Sequence, residues 1–525
     1  MVRTVFYVAS VLAVIIVALI ASAWPPFWWA LVVVLPFVLV GLYDIHWAQH
    51  NVLRNYPVIG HLRYGLEFIS PEIRQYFIER NEDGKPFNRL QRQLVQARAT
   101  GTVDTQPFGT QRDIMEVGYI RASHSLSPKK VSKDEGRIIV GGPECKQPYD
   151  ASRLNISAMS FGALSPNAIH ALNAGAKLGN FAHNTGEGGL SPYHLAGGGD
   201  IIFQVGTGYF GCRTQDGAFD ESKFSDLAQK DVVRMIEIKL SQGAKPAHGG
   251  VLPAAKVDEE IARIRGVPMG KDVISPPAHS TFSTPEGLLE WIVRLRELSG
   301  GKPIGFKLCI GRRHEFMSIV KAMLKTRILP DFITIDGAEG GTGAAPKEFT
   351  DRLGIPINEG LAFAHSCLVG ASVRDDIRLI ASGKVLTGFH MVEKIALGAD
   401  MCNMARPMLF ALGCIQAVRC NTNTCPSGIA TQDRRRAQAV DVKLRQKHVA
   451  QYHKATVESF LDLVGAMGLT SPSQLSPELI YRRVADETEL AYDEIHDFLN
   501  PGALLKDKIN PVYASHWEKA SAEAF

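Results

Sequence analysis

A chain of 525 residues has room for about three domains, or for one large barrel with attachments. Almost half of it is apolar (46%), enough for a large core, and its net charge of +4 comes without any dense run of Lys or Arg, so nothing in the charge supports nucleic-acid binding. The eight cysteines form no paired framework; Cys145, Cys212, Cys309, Cys367 and Cys402 lie far apart, as buried thiols of a reducing compartment do.

Two apolar, uncharged runs open the chain, Thr4 to Ala23 and Phe27 to Tyr43. About 20 helical residues cross a hydrocarbon core. Trp24-Pro25-Pro26 breaks the two runs, and Trp24, Trp28 and Trp29 gather where an interfacial aromatic belt lies. The pattern predicts a two-helix transmembrane hairpin over 1–43. Ala21-Ser22-Ala23 also imitates a signal-peptidase site, but a second apolar run directly after it argues against a cleaved leader. Arg3 precedes the first run, Arg54 and Arg63 follow the second, and the turn between has no Lys or Arg. The positive-inside rule therefore predicts both termini, and the bulk of the chain, on the cytoplasmic side.

Residues 44–150 read as a linker or juxtamembrane region. Glu67 to Glu82 is expected to be helical, with Pro71 near its start. Arg89, Arg92, Arg98 and Arg112 face either anionic headgroups or, as the plainer reading, solvent and core. Thr100 to Gly118 is expected to be irregular.

From Asn155 apolar strands alternate with helical stretches. Strands are expected to begin at Asn155, Phe181, Ile201, Met235, Ile304, Phe332, Arg378 and Met401, with helices such as Pro166–Leu178, Pro285–Leu298 and His314–Lys325 between them. Eight such units predict an α/β fold, a (β/α)8 TIM barrel over 151–440, whose site lies at the carboxyl ends of its strands. The residues at those ends are unusual: Ser157-Ala-Met-Ser160, Asn184-Thr-Gly-Glu187, Gln204, Lys245, Lys307, Asp336 with Gly340 to Gly343, Ser382-Gly383 and Ala405-Arg406. Backbone approach to phosphate demands glycine or small residues, which the loop Gly340-Gly341-Thr342-Gly343 supplies beside Gly383 and Arg406. Lys307 sits among apolar residues, where burial without a partner is costly; so short a strand leaves an outward direction open. A helical extension over 441–525 is expected to pack on the barrel, with helices at Lys447–Met467, Glu478–Val484 and Ala491–Leu499.

Within residues 413–432, Cys414, Cys420 and Cys425 fall at C-x5-C-x4-C with Pro426 directly after. Thiolates are the usual ligands of iron–sulfur clusters, and three suit a three-iron cluster. Zinc normally wants a fourth Cys or His nearby, where this stretch has Asn421 and Asn423.

The run from Gly413 to Gln432 resembles the [3Fe–4S] segment of glutamate synthases. Ser157-Ala-Met-Ser-Phe-Gly-Ala-Leu-Ser165, Asn184-Thr-Gly-Glu-Gly-Gly189, Gln242-Gly-Ala-Lys-Pro246, Ile274-Ser-Pro-Pro277 and Gly340-Gly-Thr-Gly343 follow the family's order. The whole chain resembles its shorter, membrane-anchored, FMN-binding members. The resemblance implies that the phosphate belongs to FMN, contacted by Met159, Ser160 and Gln204, with Lys307 against the flavin ring as a catalytic cation. Gln242, Lys245 and Arg265 match positions that hold the 2-oxo acid, and two cations suit a dicarboxylate. Glu187 either guides ammonium or an imine proton, or orders its loop; Arg265 is otherwise a helix-surface residue beside Arg263. The implied reaction is FMN-dependent reductive formation of glutamate from 2-oxoglutarate or 2-iminoglutarate, with electrons passing through the [3Fe–4S] cluster.

Three departures follow. Met1 is followed by Val2 and no cysteine precedes Cys145, so glutamine hydrolysis by an amino-terminal cysteine is not expected; ammonia comes from solution or from a separate glutaminase. No convincing strand–GxGxxG–helix unit for NAD(P)H is found, so a ferredoxin-like protein or a separate reductase is the expected donor. The family's Gly-Glu-Gly-Gly-Gln after Lys-Pro is here Ala247-His248-Gly249-Gly250-Val251, and its His-His-Asp is here His279-Ser280-Thr281. Two other readings remain: an N-methylglutamate synthase-like enzyme acting on another amine or amino acid, and a membrane electron-transfer subunit without its own substrate.

Overall fold

The computed structural model describes residues 2–525, which divide into two units, one up to Leu90 and one from Gln91 onward. In the first unit, helices Val2–Ala23 and Leu31–His46 flank a short 3-10 turn, Pro25–Ala30. Val2–Ala23 and Pro25–His46 are long and apolar enough to cross a membrane. The expected helix over 67–82 begins earlier, at Gly60, and ends at Ile73, passing into a π turn over Arg74–Ile78. Pro71 thus lies near the carboxyl end, where its missing N–H disturbs the i→i−4 ladder and the wider turn takes over.

In the second unit eight parallel strands close into a barrel: β1 (Leu154–Ile156), β2 (His183–Asn184), β3 (Ile201–Val205), β4 (Val233–Lys239), β5 (Ile304–Leu308), β6 (Phe332–Asp336), β7 (Arg378–Ser382) and β8 (Met401–Met404). β8 pairs with β1 through Cys402 with Leu154 and Met404 with Ile156, so no edge is left open. Helices Pro166–Gly179, Pro285–Leu298 and Arg313–Thr326 match the expected spans to within a residue. Two begin with a Ser or Thr cap followed by proline: Ser165 accepts from Ala168 N–H and Thr284 from Gly287 N–H. The expected strand at Phe181 starts two residues later. Phe181 instead stacks on His453, ring centroids 3.8 Å apart.

An antiparallel hairpin, Arg137–Val140 with Tyr149–Ser152, closes the amino-terminal end of the barrel. Its Val140, Tyr149 and Ala151 bury against Ile202, Met235 and Phe332 from the starts of the strands. The mouth at the opposite end is therefore the open one.

Helix Val442–Ala466 docks on helix Pro166–Gly179 at Gly175, where a Cβ would meet Val449 at 2.7 Å. The expected helix at Glu478–Val484 is a strand, Ile480–Ala485, between Ile120–Ala122 and Thr488–Ala491. Ile480 and Val484 suit either period. The turn residues Asp486 and Glu487 and the partner strand at Ile120 decide for a sheet. The expected helix over 491–499 is a single turn, Tyr492–Ile495.

Candidate active site at the barrel mouth

Charge gathers where the long connection after β4 folds over the mouth. Lys239, at the end of β4, donates from Nζ to Glu187 Oε1 at 2.7 Å. Burial alone would raise the pKa of Glu187. The Lys239 ammonium, helped by Arg265 and Lys245, outweighs it and holds the carboxyl below its ordinary value. Arg265 ends a seven-residue helix, Glu259–Arg265, but does not lie on the surface: it is 4% exposed. Its guanidinium donates to Phe161 O at 3.0 Å and lies over the Phe210 ring, while its buried Nε has no partner among the described residues. Lys245, 2% exposed, donates to Gly249 O at 2.7 Å. Burial lowers Lys245 to about 8 and Arg265 to about 10, so both carry charge at neutral pH. Gln242 lies on the same loop as Lys245, and its carbonyl accepts from Lys245 N–H at 3.3 Å. His279, bonded to Lys239 O at 2.9 Å, is held neutral by burial, its pKa lowered to about 4. The cluster thus holds three cations against one carboxylate, a surplus of two positive charges.

Lys307 points into the site: it is buried and its Nζ lies 3.4 Å from Asp336 Oδ2 on β6. In register it neighbours Lys239. One level deeper, Glu237 on β4 accepts from Asn184 Nδ2 (2.8 Å), Gln204 Nε2 (2.7 Å) and Thr334 Oγ1 (2.7 Å). Three donors from three strands satisfy a carboxylate that would otherwise be costly to bury. They also fix the Gln204 amide with its nitrogen on Glu237, leaving its oxygen as the free acceptor.

Gly341, Thr342 and Gly343 form an exposed rim after β6. The Arg406 guanidinium covers this rim, donating to Glu339 O at 2.5 Å; a Cβ on Gly341 would meet it at 2.7 Å. Gly383 is buried against Ile357, where a Cβ would sit 3.0 Å from its Cβ. Met159 and Ser160 are half-buried beside Gly186, whose φ of 63° brings its backbone against theirs. Two cationic donors, a guanidinium over a glycine loop and an inward lysine, with an amide oriented to accept, form a set of polar groups that suits a phosphate-bearing flavin such as FMN.

The cysteine segment adjoins this rim, since a Cβ on Gly343 would lie 3.1 Å from the Cβ of Cys420. Burial pushes Cys414 up to about 11, and the neighbouring Cys420 and Cys425 add to the rise. Cys420 also moves up through burial. Cys425 moves down: burial opposes ionisation, but the Ser427 hydroxyl and the N–H groups of Ala430, Ser427 and Ile429 outweigh it. Among the described residues no three His, Cys, Asp or Glu side chains converge as a single metal ion requires. A multi-iron cluster spreads its thiolates around a larger body. Three thiols on one short segment, with N–H donors on the sulfur of Cys425, are a donor set that suits it.

The conserved region in glutamate synthase matches residues 104–470. The chain belongs to the glutamate synthase family. It is thereby a glutamate synthase-like oxidoreductase. It is 37% identical to the glutamate synthase large subunit-like protein YerD of Bacillus subtilis (strain 168), over 89% of this chain and 97% of that protein. With the archaeal glutamate synthase (NADPH) of Methanocaldococcus jannaschii it shares 37% identity over 61% of this chain, and it spans 60% of that protein. Among solved structures, a mutant flavocytochrome b2 with pyruvate bound aligns over 79% of this chain and 85% of its own, at 13% identity and a TM-score of 0.40.

In this glutamate synthase-like chain, four residues of the mouth escaped the sequence reading: Lys239, Glu237, Asp336 as the partner of Lys307, and Lys256. A signal existed for two. Glu237 and Lys239 stand at alternate positions of a strand whose only other charge is the exposed Arg234 at an odd step from them, so both face the barrel interior. Lys256 carried none. It is buried, and its ammonium donates to Ala163 O, Cys420 O and Ala430 O at 3.1, 2.8 and 3.0 Å, tying the cysteine segment to the loop after β1.

Proposed function

We propose that the protein forms glutamate, or a close dicarboxylic relative, by reducing the 2-imino acid made from a 2-oxo acid and ammonia. The observation that carries this reading is the surplus of two buried positive charges among Lys239, Lys245, Arg265 and Glu187. Buried cations without counter-charge are costly, and the two carboxylates of 2-oxoglutarate would supply it. When bound, FMN would supply hydride transfer and the [3Fe–4S] cluster one-electron transfer. Arg406 with the 341–343 rim would hold the flavin phosphate, Gln204 and Lys307 its ring, and Cys414, Cys420 and Cys425 the cluster. Arg265 and Lys245 fix the substrate carboxylates. Glu187 uses Oε1 for Lys239, which leaves Oε2 to accept from ammonium or an imine N–H.

The two amino-terminal helices are read as a membrane anchor with the barrel on the cytoplasmic side, from the charge placement around them. A ferredoxin-like protein or a reductase supplies electrons, and ammonia comes from solution or a partner glutaminase. The experiment is turnover: anaerobically purified protein, reduced by dithionite-reduced ferredoxin, is given ammonium and 2-oxoglutarate. Glutamate formation, with acid-extractable FMN and with iron and sulfide, supports the reading. Protein that binds neither flavin nor sulfide, or zinc without sulfide, overturns it.

One observation favours a second substrate. Val251 is paired with Ile274 in a short ribbon and brings no polar group where glutamate synthases have glutamine, and the Lys245 ammonium is partly taken by Gly249 O. An N-methylglutamate synthase-like use of the same dicarboxylate pocket fits these contacts, and methylamine in place of ammonium tests it.

A further inference from the structure

The segment that follows the amino-terminal hairpin is fastened to it. Asp44, in the last turn of helix Leu31–His46 and fully buried, accepts from Val58 N–H at 2.8 Å and from His61 Nε2 at 2.8 Å. Arg3, in the first turn of the other helix, donates to Arg54 O at 2.5 Å and to Asn55 Oδ1 at 3.0 Å. Residues 54–61 therefore cap the end of the hairpin from which both helices emerge. Helix Gly60–Ile73 starts at that same level.

Most of this helix's aliphatic residues fall on one stripe, with Phe68, 67% exposed, off it. Ile59, Leu62, Leu66, Ile69 and Ile73 recur at three- and four-residue steps, and all are 38–67% exposed. The π turn continues the stripe with Phe77, 85% exposed. Another face carries the Arg63–Glu67 ion pair at 3.0 Å. A 14-residue helix is about 21 Å long, too short to span, and so large an apolar face in water is costly.

We infer that Gly60–Ile78 is a third membrane element, an amphipathic helix lying in the headgroup region with Leu62, Leu66, Ile69, Ile73 and Phe77 in the acyl boundary. The inference rests on reading the hairpin as a membrane anchor. Continuity selects lipid over a protein partner: if the hairpin spans, Asp44 and Arg3 hold the start of this helix at the bilayer surface.

The test uses the full chain in phosphatidylcholine nanodiscs. Leu66, Phe77, Arg63 and Val14 are replaced, one at a time, by a fluorescent amino acid, and brominated lipids serve as quenchers. Quenching at Leu66 and Phe77 of at least half that at Val14, with Arg63 several-fold weaker, is expected. Quenching at Val14 but not at Leu66 or Phe77 overturns the inference and leaves the hairpin reading intact. Absence of quenching at Val14 as well overturns both. Energy transfer between donor- and acceptor-labelled Leu66 copies, without lipid quenching, assigns the stripe to a second copy and also overturns it.

Discussion

Lys245 and Lys256 stand on the same connection after β4, equally buried, and burial lowers both to about 8. Their surroundings differ. Lys256 spends all three ammonium hydrogens on carbonyls of the cysteine segment and the loop after β1. Lys245 gives one bond to Gly249 O and otherwise faces Glu187 and the Lys239 ammonium. A buried lysine with every donor used acts as scaffold. One with donors to spare, inside a surplus of positive charge, has what the proposed binding of an anionic substrate requires.

The largest effect that bears on this contrast concerns what Lys256 holds in place. Cys425→Ser should remove most iron and sulfide while leaving far-UV circular dichroism unchanged, because the barrel closes through its own strands. Retention of a full complement of sulfide would show that these thiols are not its ligands. Next comes Lys256→Met, which strands three carbonyls without a partner. A loss of roughly 3 kcal/mol in denaturant unfolding is expected. Lys245→Met should leave the unfolding midpoint nearly unchanged, yet lower kcat/KM for the 2-oxo acid about 30-fold, the equivalent of about 2 kcal/mol. If the two substitutions exchanged these outcomes, the contrast would be wrong.

The smallest effect is in pH. On the proposed role, in which protonated Lys245 holds a substrate carboxylate, kcat/KM should fall as pH rises through about 8, while substrate-saturated kcat changes less. The limb should vanish in Lys245→Met.

The sequence made the barrel legible where the strand residues did only one thing. β3, β5, β6, β7 and β8 start at the expected residue because each is an apolar run bounded by turn chemistry. β2 is two residues long and was misplaced, since Phe181 looks like strand but packs against a histidine 272 positions later in the chain. The carboxyl-terminal hairpin differs from expectation for the same reason: Ile120, which pairs with its Arg482, is 362 residues away. Lys307, Lys245, Arg265 and Glu187 were legible as types at a mouth. Their pairing was not, because Lys239 with Glu187, and Glu237 with Asn184, meet only once β2 and β4 are both in the barrel. Whether Arg265 faced in or out was equally beyond helix periodicity. The Phe161 carbonyl that receives it comes from the loop after β1.

The central claim is that the mouth is built for two negative charges. Calorimetric titration of the anaerobic protein with 2-oxoglutarate and with pyruvate, at pH 7 and one ionic strength, tests it directly. The account predicts that 2-oxoglutarate binds at least tenfold more tightly than pyruvate and that Arg265→Ala removes most of that difference. Equal affinity for the two acids, or tighter binding of pyruvate, would contradict it.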